Sequence, residues 1–348
     1  MKITLHKFDL KLLHPFRTYR QTKTVQRTLI VELQDKGISG FGEATENPFY
    51  GVTIEGMTEL LEGCSRSIES KAFDQHTDKW PVRFWEQMRP ELCHWPFAQC
   101  ALDLAAYDLW GKRLGQPVWR LWGLSLENLP PSDYTIGIDS IESMIGRLKE
   151  FSDWPIYKIK LGTENDLEIV RQLRKQTDAV FRVDANCSWT VDQTIAYSHE
   201  LKSLGVEFIE QPLAPGDWNG MEDVYRETAL PIIADESCQL TEDVDRCVDH
   251  FDGINIKLVK CGGITPAGRM ICRARELGLK VMMGCMTESS VGISAIAQLL
   301  PMLDYVDIDG PLLLANDIAT GVQIDRGRVI YPEENGCGAR LITKVEPR

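Results

Sequence analysis

Five charged residues recur through the middle of this chain at a nearly constant interval. Lys160 closes an apolar run in Lys158-Ile159-Lys160, and Asp184 closes the next in Val183-Asp184-Ala185-Asn186. Glu210 follows in Ile209-Glu210-Gln211-Pro212, Asp235 in Ala234-Asp235-Glu236-Ser237, and Lys257 in Asn255-Ile256-Lys257. The successive steps are 24, 26, 25 and 22 residues. A βα unit takes about that length in a barrel of about 250 residues, whose strands carry their sites at the C-terminal ends. The spacing therefore stacks these groups on one rim. Singly, a Lys or Asp at a strand end is a solvated rim residue; the whole series at one step is not explained that way.

The residue types make chemical sense together. Asp184, Glu210 and Asp235 on three adjacent strands are hard oxygen ligands converging on one point. Without a cation they would repel in a desolvated mouth, whereas Mg²⁺ takes such ligands and keeps positions for water and substrate. No His or Cys stands at these positions, which disfavours zinc and copper. Lys160 and Lys257 flank the triad, one strand before and one strand after. Lys158 shares a face with Lys160, because strand side chains alternate with period two. A lysine near its ordinary pKa of about 10.4 is a poor base at neutral pH. A neighbouring ammonium and a metal ion both disfavour the protonated amine, so Lys158 and the metal are expected to tune Lys160 as a base for an acidified carbon proton.

Such an array needs parallel strands to carry it. Short apolar runs occur at 134–138, 157–161, 181–184, 208–210, 232–235, 254–258, 280–283 and 306–308. Helical patterns fill most gaps, such as 166–176, 191–204 and 267–277. Eight strands alternating with helices fit a (β/α) barrel. A doubly wound open sheet competes, but no Gly-rich dinucleotide fingerprint follows an early strand. Upstream, 3–13 and 28–33 have strand composition with a turn at Lys36-Gly37, and 53–121 reads as helical, most strongly at 98–106. That order predicts a small α+β domain, with Leu129-Pro130-Pro131-Ser132-Asp133 as the linker out of it. The Trp residues between Pro81 and Trp122 are expected as core between the two domains, and His94 and His199 as surface or packing residues. Gly262-Gly263 before a helix reads as a tight turn more readily than as a phosphate cradle.

Composition narrows the partners. Lys and Arg total 38 against 51 Asp and Glu, a formal charge of −13. Nucleic acid and anionic membrane surfaces reward a basic face and are excluded as expected partners. No apolar run approaches the roughly 18–20 residues that span a bilayer, and the N-terminal stretch lacks an uninterrupted signal region. Ten cysteines without a CxxC pair read as reduced, mostly buried thiols, hence a cytoplasmic protein.

The set Lys158-Ile-Lys160, Asp184-Ala-Asn186, Glu210-Gln-Pro212, Asp235-Glu-Ser237 and Asn255-Ile-Lys257 resembles the enolase superfamily, in its muconate-lactonizing subgroup. The resemblance covers essentially the whole chain. It implies an α/β fold: a modified (β/α)7β TIM-type barrel with an N-terminal α+β capping domain, and substrate enclosed by cap loops near 14–24 and 47–53. The expected division is 1–128 for the cap, 129–315 for the barrel and 316–348 for a segment returning to the cap. Within the subgroup, Asp307-Ile-Asp309-Gly-Pro311 is similar to the dipeptide epimerases, where paired aspartates bind the substrate α-ammonium. Two carboxylates suit an –NH₃⁺ group, and a substrate without one would gain nothing from them.

The resemblance implies a Mg²⁺-dependent isomerase acting on dipeptides of the Ala-Glu type, as in cell-wall peptide metabolism. Lys160 and Lys257 would then exchange the α-proton of the C-terminal residue through an enediolate, on opposite faces. Arg20, in Pro15-Phe-Arg-Thr-Tyr-Arg20, matches an arginine that contacts a glutamate side chain, and Cys285 and Thr287 fall in the specificity region of the seventh strand. The expected partner is a small dipeptide, with a homo-oligomer left open. Two alternatives stand beside this reading: another reaction of the subgroup, such as cycloisomerisation or o-succinylbenzoate synthesis, and a non-catalytic metabolite-binding barrel.

Overall fold

The structure, a computed structural model, describes residues 1–71 and 79–342. It opens with an antiparallel sheet of β1 (Lys2–Arg17), β2 (Thr22–Asp35) and β3 (Ile38–Thr45), in that order. β1 and β2 extend well beyond the apolar runs of the sequence, because their outer parts pair with each other across a register shift between Lys11 and Phe16. The first cap loop is consequently shorter than expected, reduced to 18–21 at the hairpin tip. Lys36 and Gly37 take φ of 48° and 80°, the left-handed pair that closes a two-residue hairpin.

β3 is the strand that the sequence pattern hides, and its glycines explain why. A Cβ on Gly42 would stand 2.1 Å from the Ala101 carbonyl oxygen, and one on Gly40 2.4 Å from that of Ala105. Both glycines let β3 lie directly on a helix backbone, at the cost of the apolar alternation that marks a strand. That helix is the fourth of the cap, which carries α1 (Ile54–Gly63), α2 (Ser65–Ser70), α3 (Trp80–Leu92), α4 (Pro96–Leu114) and α5 (Val118–Leu121). Residues 72–78, inside the long helical expectation, lie outside the described residues. α4 is buried from Phe97 through Gly111, as befits a helix sandwiched between a sheet and a barrel. Trp80, Trp85 and Trp110 are buried, Trp119 and Trp122 are half-buried and Trp95 is exposed, so half of the tryptophan cluster is core.

The barrel strands are β4 (Tyr134–Ile136), β5 (Ile156–Lys160), β6 (Val180–Asp184), β7 (Val206–Glu210), β8 (Ile232–Ala234), β9 (Gly253–Ile256), β10 (Lys280–Gly284) and β11 (Tyr305–Asp307). All neighbours pair in parallel, in sequence order, and a parallel bridge from Ser132 to Val306 closes the circle beside β4. α6 (Ile141–Glu150), α7 (Asp166–Arg174), α8 (Val191–Ser203), α9 (Trp218–Glu227), α10 (Leu258–Cys261), α11 (Ile264–Glu276) and α12 (Ser290–Ala297) pack outside. β8 is followed by short 3-10 turns instead of an α-helix, and β11 by one at Gly310–Leu313. After β11 the chain returns to the cap. Leu314 bridges Leu12, the Ala315 amide donates to the Lys11 carbonyl, and Gly336 bridges Pro117. Among the described residues, no helix is long and apolar enough to cross a membrane.

Two buried carboxylates pin cap to barrel. Glu43 of β3 accepts from the Ser289 amide at 3.1 Å, its hydroxyl at 2.5 Å and the Gly292 amide at 2.9 Å, the N-terminus of α12. Asp103 of α4 accepts from the Thr265 amide at 2.8 Å and its hydroxyl at 3.0 Å, at the start of α11. Unpaired amides at a helix start favour an anion there. The Gly262-Gly263 pair precedes that second site, and Asp103 sits where a Gly263 Cβ would be, 2.4 Å away. Gly263 therefore makes room for a carboxylate of the same chain. Trp85 adds a hydrogen bond from Nε1 to the Gly262 carbonyl at 3.0 Å.

Candidate active site

Strand register places the charged residues in line. Lys160 is level with Asp184, and Asp184 with Glu210, across β5, β6 and β7. Asp235 follows the end of β8 and Lys257 follows β9. One oxygen each of Asp184, Glu210 and Asp235 lies within 4.8 Å of the others, and all three carboxylates are buried. Lys160 Nζ donates to Asp184 Oδ2 at 2.5 Å from one side, and Lys257 Nζ to Asp235 Oδ2 at 2.8 Å from the other. Asn255 Nδ2 donates to Glu210 Oε1 at 2.9 Å, and the Asn186 amide to Asp184 Oδ1 at 2.9 Å.

Burial opposes the Lys158 charge, but the carboxylates of Asp307, Glu210 and Asp184 outweigh it and hold the ammonium well above its ordinary pKa. Its Nζ is 2.7 Å from both Asp307 Oδ2 and Glu210 Oε2. Burial likewise opposes the Lys257 charge and Asp235 overrides it, so this amine is also raised. Lys158 thus stands as a fixed cation tying the triad to Asp307, as well as sharing a face with Lys160.

Within the triad, burial and the Asp184 charge push Glu210 up to about 7. Asp235 is held well below the usual range because Lys257 and Lys260 together overcome its burial. Three carboxylates this close, with one forced toward neutrality by its neighbours, form a donor set that a hard divalent cation satisfies. The residues present fit Mg²⁺.

A second acidic group faces the first. Cys285 Sγ and one oxygen each of Asp307 and Asp309 lie within 4.8 Å of one another. The Thr135 amide donates to Asp309 Oδ2 at 2.6 Å, which fixes that carboxylate against β4. Despite burial, Lys158 and Lys160 draw Asp307 down to about 2, while burial and Asp307 push Asp309 up to about 7. Burial, reinforced by both aspartates, raises the Cys285 thiol well above its ordinary value, so it is a neutral wall group.

One cavity joins these groups. Lys160, Lys257, Asp307, Asp309, Cys285 and Thr287 line it from the barrel. The cap supplies Arg20 from the hairpin tip, Lys23 from the start of β2, and the loop holding Asn47, Phe49 and Tyr50. That loop contains the 3-10 turn Pro48–Tyr50, closed by a bridge between Asn47 and Val52. Arg20 is already engaged: Nη1 donates to Glu236 Oε1 at 2.7 Å, and Nη2 to the Asn186 carbonyl at 3.1 Å. Burial and the adjacent Asp235 raise Glu236, an effect that Arg20 opposes. His94 and His199 lie exposed and away from this cavity.

Sequence reasoning passed over Lys260. Its buried ammonium donates to Asp235 Oδ1 at 2.6 Å and to the carbonyls of Asp235, Cys238 and Asn255. Its signal was weak, since it falls in a one-turn helix with no strand end to mark it. Glu236 was visible only as the neighbour of Asp235, and Lys23 and Tyr50 as ordinary loop residues.

Comparison with known proteins places this geometry. Residues 2–123 match the mandelate racemase / muconate lactonizing enzyme N-terminal domain, and residues 145–345 match the enolase C-terminal domain-like family. An L-Ala-D/L-amino acid epimerase of Flavobacterium johnsoniae is 53% identical, covering 98% of this chain and 100% of its own. A protein of the same description from a Maribacter species is 54% identical over 98% of this chain and 99% of its own. The crystal structure of a dipeptide epimerase from Enterococcus faecalis, complexed with Mg and L-Leu-L-Tyr, superposes with a TM-score of 0.90. It is 29% identical and covers 97% of this chain and 98% of its own. With both domains matched in order along nearly the whole chain, the protein belongs to the enolase superfamily, in its mandelate racemase / muconate lactonizing enzyme group.

Proposed function

We propose that this protein is a Mg²⁺-dependent dipeptide epimerase that inverts the α-carbon of the C-terminal residue of Ala-X dipeptides, Ala-Glu among them. The observation that carries the reading is the placement of two lysines on opposite sides of one carboxylate triad, in a cavity that also holds an aspartate pair. Asp184, Glu210 and Asp235 would hold the metal, which supplies Lewis-acid stabilisation for charge developing on the substrate carboxylate. Asp307 and Asp309 would receive the α-ammonium, with the Thr135 amide and Lys158 fixing their orientation. This orients the dipeptide along the cavity and sets its second α-carbon between Lys160 and Lys257.

One lysine, as the neutral amine, takes the α-proton, and the other, as the ammonium, returns a proton to the opposite face. The roles exchange for the reverse direction. Lys158 remains charged and adds to the local positive field that favours the carbanionic state. The division into 1–128, 129–315 and 316–348 is part of the same proposal. It is supported by the return of the last segment to the cap at Gly336, which bridges Pro117; residues 343–348 lie outside the described residues.

Incubation with L-Ala-L-Glu and Mg²⁺ in D₂O tests the reading. Deuterium should enter the α-position of the Glu residue and the D-epimer should accumulate, both followed by NMR. Absence of exchange across a panel of L-Ala-X dipeptides overturns it.

A further inference from the structure

The dipeptide reading leaves one group of the substrate unplaced. With the ammonium at Asp307 and Asp309 and the carboxylate at the triad, the side chain of the epimerised residue faces the cap wall. That wall contains Arg20, Lys23 and Phe49, with Glu236 contributed by the barrel.

Its principal cation already has an anion. Arg20 bonds Glu236 through Nη1 at 2.7 Å, and Nη2 is taken by the Asn186 carbonyl and by Cys187 Sγ at 2.9 Å. Phe49 covers a face of the guanidinium, 3.9 Å from ring centroid to the central carbon. Glu236 is 3% exposed, and its second oxygen, Oε2, has no hydrogen-bond partner among the described residues. An arginine held this way is not an open receptor for a substrate carboxylate. To use it, a glutamate side chain must displace Glu236 and leave a buried carboxylate unpaired, which is strongly unfavourable. A side chain carrying an N–H or O–H donor instead satisfies the lone Oε2 and leaves the Arg20–Glu236 pair intact. Lys23, bonded to Gln26 Oε1 at 2.8 Å, keeps a cation on the same wall, so a carboxylate is disfavoured without being refused.

We infer that Glu236 is a specificity-determining residue that selects an uncharged hydrogen-bond donor on the epimerised side chain, favouring L-Ala-L-Gln over the isosteric L-Ala-L-Glu. The inference rests on the dipeptide reading, and its test separates the two. The wild-type enzyme is given L-Ala-L-Gln, L-Ala-L-Glu and L-Ala-L-Met, and kcat/KM is taken for each. Gln should exceed Glu by about tenfold, in keeping with the cost of leaving a buried polar group unsatisfied, and should also exceed Met, which has no donor.

Glu236→Gln should erase or invert the Gln-to-Glu preference, because the new amide presents a donor to the substrate. The ratio is read on a single preparation, so any general loss of turnover beside Asp235 cancels. A wild-type enzyme that turns over Ala-Glu as well as Ala-Gln, or a Glu236→Gln variant with an unchanged ratio, overturns the inference. The wild-type ratio decides it even if the variant fails to fold. Absence of exchange with all three substrates overturns the dipeptide reading and this inference together.

Discussion

Lys160 and Lys257 approach the triad from opposite sides, and a two-base reaction makes their loss distinguishable. Replacing either by Ala should abolish net epimerisation, with a drop of roughly 10²–10⁴-fold in kcat, the range for a positioned acid–base group. Each variant should also lose deuterium exchange from one epimer of the dipeptide far more than from the other, with opposite preferences, read by NMR on L-Ala-L-Gln and L-Ala-D-Gln. Equal loss from both epimers in both variants would contradict the arrangement. Asp307→Asn and Asp309→Asn should raise KM for dipeptides with a free amine and narrow the gap to their N-acetylated forms. At this scale the sequence was informative wherever function forced charge onto a strand end. It pointed to Arg20 through its place in the cap loop, but not to its pairing with Glu236, which lies 216 residues away. Nothing in a local pattern announces such a pairing.

Strands and helices were legible to the degree that burial repeated regularly. β5 is buried at every position and β9 likewise, so both read as continuous apolar runs despite the lysines. The cap strands extend past their apolar centres because backbone pairing, not side-chain burial, sustains their outer halves. β3 was missed for the reason that makes it work, namely two glycines pressed onto α4. Gly42→Ala should therefore destabilise the protein by about 1–3 kcal/mol, the usual cost of overpacking a tight contact. Urea unfolding should show a lower midpoint at an unchanged slope, and a variant as stable as the parent would contradict the close approach of β3 and α4.

The whole molecule carries a formal charge of −13, yet the cavity gathers Lys160, Lys257, Arg20 and Lys23. Placement of charge, more than its sum, determines what the mouth attracts. Removing divalent cations should lower thermal stability as well as activity, since the triad is then left with lysines alone to offset it. Saturating Mg²⁺ at about 100 times its Kd should restore about 2.7 kcal/mol by mass action; equal melting temperatures with chelator and with Mg²⁺ would contradict this. A second global effect arises between the domains. Burial, and then the neighbouring Glu43, push Glu288 up to about 8 from an ordinary 4.5. Folding therefore favours protonated Glu288. Its contribution is complete below about 4.5 and is lost as pH rises through about 8. Glu288→Gln should flatten the stability profile across that window, measured as urea midpoints, and an unchanged slope would refute the assignment.

Glu43 behaves toward α12 as a bound anion would, except that it belongs to the chain. Its effective concentration is set by the covalent link and the packing of β3, so dilution does not remove it. Dissolved phosphate or sulfate must outcompete a tethered carboxylate to reach those amides, and would do so only by prying the cap from the barrel. A helix terminus near the seventh and eighth strands is a recurrent phosphate seat in barrels of this type. Here the amides at the start of α12 are held by a carboxylate of the cap, so a helix start suited to an anion serves to fasten cap to barrel.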